Sequence, residues 1–179
     1  MKNHMFALAV AACALTVPVF ADNPVPYAGQ QTRQIKALSD DDIAALLKGE
    51  GMGFAKAAEL NGYPGPKHVL DLAGQLKLTE TQRQQIQAIF DKMSAAAKPL
   101  GAQLVERERI LDRLFQKGEI TPDKLAQETA GIAELQGRLR DVHLSAHLET
   151  KALLSADQIA RYQHLRGYGD PEAMHHHHG

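Results

Sequence analysis

Tryptophan is absent from this 179-residue chain, aromatic residues make up 5% of it, and there is one cysteine, Cys13. Alternating β-branched runs are also missing, so the periodicity that marks strands is not there and the chain reads as all-α. Cys13 lies in a segment that looks like a removable leader, which leaves a mature chain without disulfide, thiolate nucleophile or Cys-based metal site. An excess of either charge is lacking too. The chain has 20 Lys and Arg against 21 Asp and Glu, well interspersed, which argues against a nucleic-acid stripe or an anionic-membrane patch. There is no HExxH, GxSxG, P-loop or cofactor fingerprint, so an enzyme is not expected and no cofactor is required. The longest apolar stretch runs from Met5 to Val17, roughly 13 residues against the ~20 that span a bilayer.

That stretch fits a secretory signal peptide over residues 1–21. Lys2 and His4 form a thin basic start, and Val19-Phe20-Ala21 a small-x-small cleavage site. Removing Lys2 takes the formal net charge from −1 to −2. An uncleaved anchor is one alternative. Lipidation at Cys13, after Val10-Ala11-Ala12, is another, but Ala14 to Phe20 is apolar where a lipidated cysteine usually begins a polar tether. The expected compartment is the periplasm.

Residues 22–37, with Pro24, Pro26 and Gly29, read as a flexible arm. A single helical domain follows over residues 38–168. Ser39 is an N-cap before Asp40, Asp41 and Asp42. The helix it starts carries Ile43, Leu46, Leu47 and Phe54, and Gly49, Gly51 and Gly53 kink or break it. Residues 60–66 form a turn, and Pro66 opens a short helix to about residue 76.

The organising element is a long antiparallel hairpin over residues 78–154. Its first helix runs from Leu78-Thr79-Glu80-Thr81-Gln82 to about Lys117, with Ile86, Ile89, Met93, Ala96, Leu100 and Leu104 spaced three and four apart. Pro99 inside it predicts a bend or a split near Ala95. The second runs from Thr121-Pro122 to about Leu154, and Ile132, Leu135, Leu139, Val142, Ala146 and Leu153 give a heptad-like seam. Thr79 with Gln82 and Ser155 with Gln158 form capping boxes, the second opening a short last helix.

Two Leu-[Thr/Ser]-x-x-Gln motifs, Leu78-Thr79 to Gln82 and Leu154-Ser155 to Gln158, thus flank a secreted helical hairpin. The pattern resembles the LTxxQ-motif family of periplasmic proteins, which includes Spy and CpxP and, more distantly, metal-resistance and sensor proteins such as ZraP and CnrX. The resemblance spans about residues 66–168. It implies a small homodimeric cradle, an envelope-stress or metal-stress context, and ATP-independent chaperone activity or metal binding. The implied partners are unfolded envelope proteins or a sensor protein, with no nucleic acid and no membrane span after cleavage.

The sharpest local signal is Asp141-Val142-His143-Leu144-Ser145-Ala146-His147. Histidines four apart on a helix leave one face and can share a metal. On the heptad reading His143 and His147 flank the seam, partly wet. Counting back along the hairpin places Met93 or Asp91 level with His147 as a third ligand. A His/His/Met set suits copper, and His/His/Asp suits zinc, nickel or cobalt. His68 and His164 read as surface or cap residues. The tail over residues 169–179 holds His175, His176, His177 and His178. Its competing reading is a purification tag, but tags usually carry six histidines and seldom keep a leader. A native tract would chelate Zn, Cu or Ni loosely. The cluster Glu106 to Arg109 with Asp112 and Arg113 reads as a solvated face. Two functions are therefore expected to compete: an envelope-stress chaperone or sensor adaptor, and a periplasmic metal-binding or metal-sensing protein.

Overall fold

The computed structural model describes residues 27–168. The expected leader, the start of the arm and the four tail histidines lie outside them. By its contacts the chain divides into Met1–Gln31 and Thr32–Gly179. In the first unit a turn closes where Tyr27 C=O accepts from the Gln30 amide at 3.0 Å. The second unit carries six α-helices among the described residues: α1 Asp40–Lys48, α2 Lys56–Glu59, α3 Pro66–Asp71, α4 Glu80–Gln116, α5 Pro122–Ala152 and α6 Ala156–Leu165.

The hairpin is present as the heptad spacing predicts, α4 lying antiparallel against α5. Their turn closes through the Glu119 amide on Leu114 C=O at 2.9 Å, with Gly118 left-handed at φ 67°. Thr121 caps α5 and Pro122 takes its first position, where no amide is needed. Pro99 does not split α4, which is continuous across it. The ring falls on the exposed side, while Ala97, Leu100, Gly101 and Leu104 on the buried side are held by packing. That packing outweighs one missing backbone bond.

The glycine-rich N-terminal segment is broken rather than kinked. α1 ends at Gly49 in the left-handed conformation, φ 73°. Ser39 caps its start in a full capping box with Asp42. Gly101 explains how α1 docks. A Cβ built there would lie 2.1 Å from Leu46 O, so the backbone of α1 rests directly on α4. The arm expected to be flexible through residue 37 ends sooner, because Ile35 is fully buried in the core. Its neighbour Lys36 pairs with Asp112 at 3.7 Å.

Two hydrophobic clusters result. One joins Ile35 and Leu46 to Ala97, Leu100, Leu104, Ile132, Leu135 and Leu139. The other gathers Val69, Leu76, Ile86 and Tyr162 at the opposite end of the hairpin, with Leu78 and Leu154 packed against it. The two LTxxQ glutamines clamp that end. Each closes its own capping box, Gln82 Oε1 accepting from the Thr79 amide at 3.0 Å and Gln158 Oε1 from the Ser155 amide at 2.9 Å. Their Nε2 groups then donate reciprocally, at 3.0 and 3.1 Å, and reach Leu153 C=O at 2.8 Å and Leu76 C=O at 3.3 Å. The charged cluster is not wholly solvent-facing. Arg107 crosses to the buried Glu128 of α5 at 2.9 Å.

Candidate metal-binding cavity

His143 and His147 lie between the two clusters, and they are not at the wet edge. His143 is 3% exposed and His147 8%. The buried residues of α5 include Ile132, Leu135, Leu139, His143, Ala146, His147 and Thr150, which follow the 3.6-residue period of a straight helix. Over this length the buried stripe drifts off a strict heptad, from Val142 onto the histidines. The segment after α1 and the turn before α3 cover that stripe, forming a cavity of about 530 Å³ lined on its walls by Gly51, Gly65, His68, Phe90, Met93, His143 and His147.

The two imidazoles are held differently. His147 Nδ1 lies 2.6 Å from Tyr63 C=O, an acceptor, so Nδ1 carries a proton, and in the neutral ring Nε2 keeps its lone pair. Glu59 Oε2 sits 3.7 Å from the same nitrogen. Nε2 faces Gly65, where a Cβ would stand 2.9 Å away, so the close approach requires glycine there. His143 stacks on Phe54, centroids 6.3 Å apart and planes within 9°. Its Nε2 is buried without a hydrogen-bond partner. Burial holds the His143 imidazole below the ordinary histidine pKa, and the neighbouring His147 pushes it the same way. His143 is thus presented neutral, as a metal ligand must be.

Glu59 is a hub beneath this wall. Its Oε1 accepts from the Tyr162 hydroxyl at 2.5 Å, and its Oε2 from the Gly65 amide at 3.3 Å. Arg166 Nε lies 3.5 Å from Oε1, an ion pair without hydrogen-bond geometry. Burial first, and the Glu59 carboxylate second, push the Tyr162 hydroxyl far above its usual pKa.

Of the third ligands read from hairpin geometry, Met93 lines the cavity with the pair. Asp91 does not. It is exposed and accepts from Gln87 Nε2 at 2.9 Å. His68 is the residue that sequence reasoning missed. It lines this cavity and an adjoining one of about 320 Å³ with His147 and Tyr168. No local pattern marks it, because its place on the wall depends on how α3 docks against the hairpin. Burial and Arg166 lower the His68 pKa. His164 is exposed on α6, as expected. Among the described residues no three His, Cys, Asp or Glu side chains cluster closely enough to hold a metal.

A family model described as heavy-metal resistance matches residues 52–161, from the segment before α2 into α6. The chain belongs to that heavy-metal resistance family. The family falls in the same LTxxQ helical clade that the two capping motifs resemble. Comparison with curated proteins and with solved structures finds no match. The matched stretch contains Glu59, Gly65, Met93 and the histidine pair. It leaves out α1, whose C-terminal glycine segment forms part of the cavity wall. No helix among the described residues is long and apolar enough to cross a membrane.

Proposed function

We propose that this protein is a periplasmic heavy-metal-binding protein, not an enzyme, whose site is the cavity at His143 and His147. The observation that carries the reading is the buried His143 Nε2 without a partner, beside a second imidazole whose neutral tautomer leaves its own Nε2 unprotonated. An unmatched buried nitrogen costs about 1–3 kcal/mol, a cost that a bound cation would offset. The donors fit a soft or borderline ion. Two imidazoles and the Met93 thioether favour copper, and imidazole also suits zinc and nickel. A bound ion would supply charge that joins α4 to α5 across the cavity. The chain's own part is to keep His143 neutral, exclude competing water and orient His147 through Tyr63 and Glu59.

The test is thermal unfolding of the full chain with Zn2+, Ni2+ or Cu2+ added. Ligand that binds only the folded state raises Tm by mass action. We expect a saturable rise in the wild type and none in the H143A/H147A double variant. G65A should block the site without removing a donor. An equal rise in all three proteins refutes the reading.

A second reading rests on the other flank of the hairpin. A groove of about 260 Å³ there is lined by Ile89, Met93, Ala96 and Val142, rimmed by Lys92 and Glu149, with Leu148 exposed nearby. Apolar and charged surface side by side suits weak holding of unfolded envelope proteins by a homodimeric chaperone or stress-sensor adaptor. Suppression of aggregation of an unfolded substrate, without metal and undiminished in H143A/H147A, would favour it.

A further inference from the structure

Five methionines occur in the chain, and the two among the described residues, Met52 and Met93, both line the cavity of about 530 Å³ that holds His143 and His147. Met93 comes from α4. Met52 comes from a tight turn over residues 51–54, closed by the Phe54 amide on Gly51 C=O at 2.6 Å. Both ends of that turn lie against one imidazole. Phe54 stacks on the His143 ring, and a Cβ on Gly51 would stand 3.6 Å from His143 Nδ1. The two central residues are left-handed, Met52 at φ 41° and Gly53 at φ 84°. Asn, Asp and Gly fill that mirror-image turn with least strain, and methionine does not. Packing does not account for the side chain, since Met52 is 42% exposed. A thioether held at a strained, open position beside a buried imidazole points to a role as ligand.

The cavity is poor in the donors that divalent ions favour. Among its lining residues the carboxylate is Glu50, and Lys48 and Lys67 line it too. Glu59, beneath the wall, is engaged by the Tyr162 hydroxyl, the Gly65 amide and Arg166. No three His, Cys, Asp or Glu side chains among the described residues cluster closely enough to hold an ion. Dehydration cost scales with the square of the charge, so a divalent ion loses about four times what a monovalent ion of equal size loses. A wall without net negative charge returns little of that. Thioether and imidazole together select Cu(I).

We propose that the cavity takes a cuprous ion, bound by the Met52 and Met93 thioethers together with His143 and His147, in preference to zinc or nickel. The inference rests on the metal-binding reading above and names the ion and two of its ligands. Two imidazoles and two thioethers make a four-coordinate set with no charge of its own, so the loaded cavity carries a single positive charge. The turn at residues 51–54 thus serves the site twice, holding the His143 ring through Phe54 and presenting sulfur through Met52.

The experiment compares five full-length proteins: wild type, M52L, M52G, M93L and H143A/H147A. Cu+ is titrated without oxygen against the chromogenic chelator bicinchoninate, and Zn2+ and Ni2+ by calorimetry. Copper-edge X-ray absorption reads sulfur at the bound ion, a signal that histidines cannot give. The wild type should bind Cu+ at least about tenfold more tightly than Zn2+ or Ni2+, with sulfur in its copper spectrum. M52L, M52G and M93L should each weaken Cu+ by at least about tenfold, lower the sulfur signal and leave Zn2+ binding unchanged. M52G, relieved of strain, should unfold without metal at a Tm no lower than wild type, which separates loss of a ligand from damage to the fold. Wild-type Cu+ affinity in both Met52 variants, no sulfur at the wild-type copper, or Zn2+ or Ni2+ bound as tightly as Cu+ overturns the inference and leaves the metal reading intact. Met93 also borders the groove on the other flank of the hairpin. Unchanged Cu+ binding in M93L assigns its sulfur to that side and overturns the four-ligand set. If H143A/H147A binds every ion as the wild type does, the metal reading itself fails.

Discussion

Replacing His143 by leucine should make the apoprotein more stable. His143 Nε2 is fully buried and has no partner. Leaving such a group unsatisfied costs about 1–3 kcal/mol, and an apolar side chain of similar volume removes that cost. Against this stands the Phe54 stack, 6.3 Å between centroids, which a leucine only partly replaces and which is worth about 0.5–1.5 kcal/mol. The difference is a gain of about 1 kcal/mol, or roughly 2–4 °C in Tm for a chain of this size. The gain depends on pH with a definite sign. Burial and His147 hold the folded pKa of His143 below 6.5. Below pH 6.5 the unfolded chain takes a proton that the folded chain refuses, so wild-type stability is whole above that pH and falls as pH drops towards the folded value. A leucine side chain has no such loss, and the advantage of H143L should widen from pH 7.5 to pH 5.5. His68, also lowered, leaves some slope in both proteins. Urea unfolding followed by circular dichroism at those two pH values is the assay. A destabilised H143L at pH 7.5, or a gain that does not change with pH, refutes the account of an orphaned neutral imidazole.

Two mid-helix glycines should respond oppositely to alanine. G137A meets nothing within 4 Å on the exposed face of α5 and should gain about 1 kcal/mol from helix propensity. G101A drives a methyl into Leu46 C=O and should cost about 1–2 kcal/mol net, as overpacking outweighs the same propensity gain. Paired urea midpoints check both, and a stabilised G101A would show that α1 is not seated there. The motif glutamines make a third case. At the third position of a capping box glutamate normally serves as well as glutamine. Here Q82E replaces the Nε2 donor to Leu153 C=O and Gln158 Oε1 with an acceptor, so a loss of about 2–4 kcal/mol is expected at pH 7, partly recovered near pH 4 as the carboxyl takes a proton. A pH-independent or negligible loss would mean that the motifs act only as local caps.

Much of the molecule is written in local pattern. The capping boxes at Ser39, Thr79 and Ser155 and the Thr121-Pro122 start of α5 need only neighbours within a few residues, so their chemistry is visible without a fold. The apolar spacing of α4 and α5 likewise requires a mutual seam, and the i,i+4 spacing of His143 and His147 places both on one helix face before any coordinates exist. Tertiary structure decided which face that is. A heptad reading keeps the seam on Val142, but α1 to α3 offer a second surface to the hairpin, and burial follows the 3.6-residue period onto the histidines instead. The same layer explains Ile35 in the core, Gly101 under Leu46, and His68 on the cavity wall. Each depends on residues tens of positions apart meeting in space, and hydrophobic periodicity within one helix carries no information about what arrives from outside it. The reciprocal bonds between Gln82 and Gln158 are of that kind: two identical motifs announce two caps, and only the closed hairpin makes them one clamp.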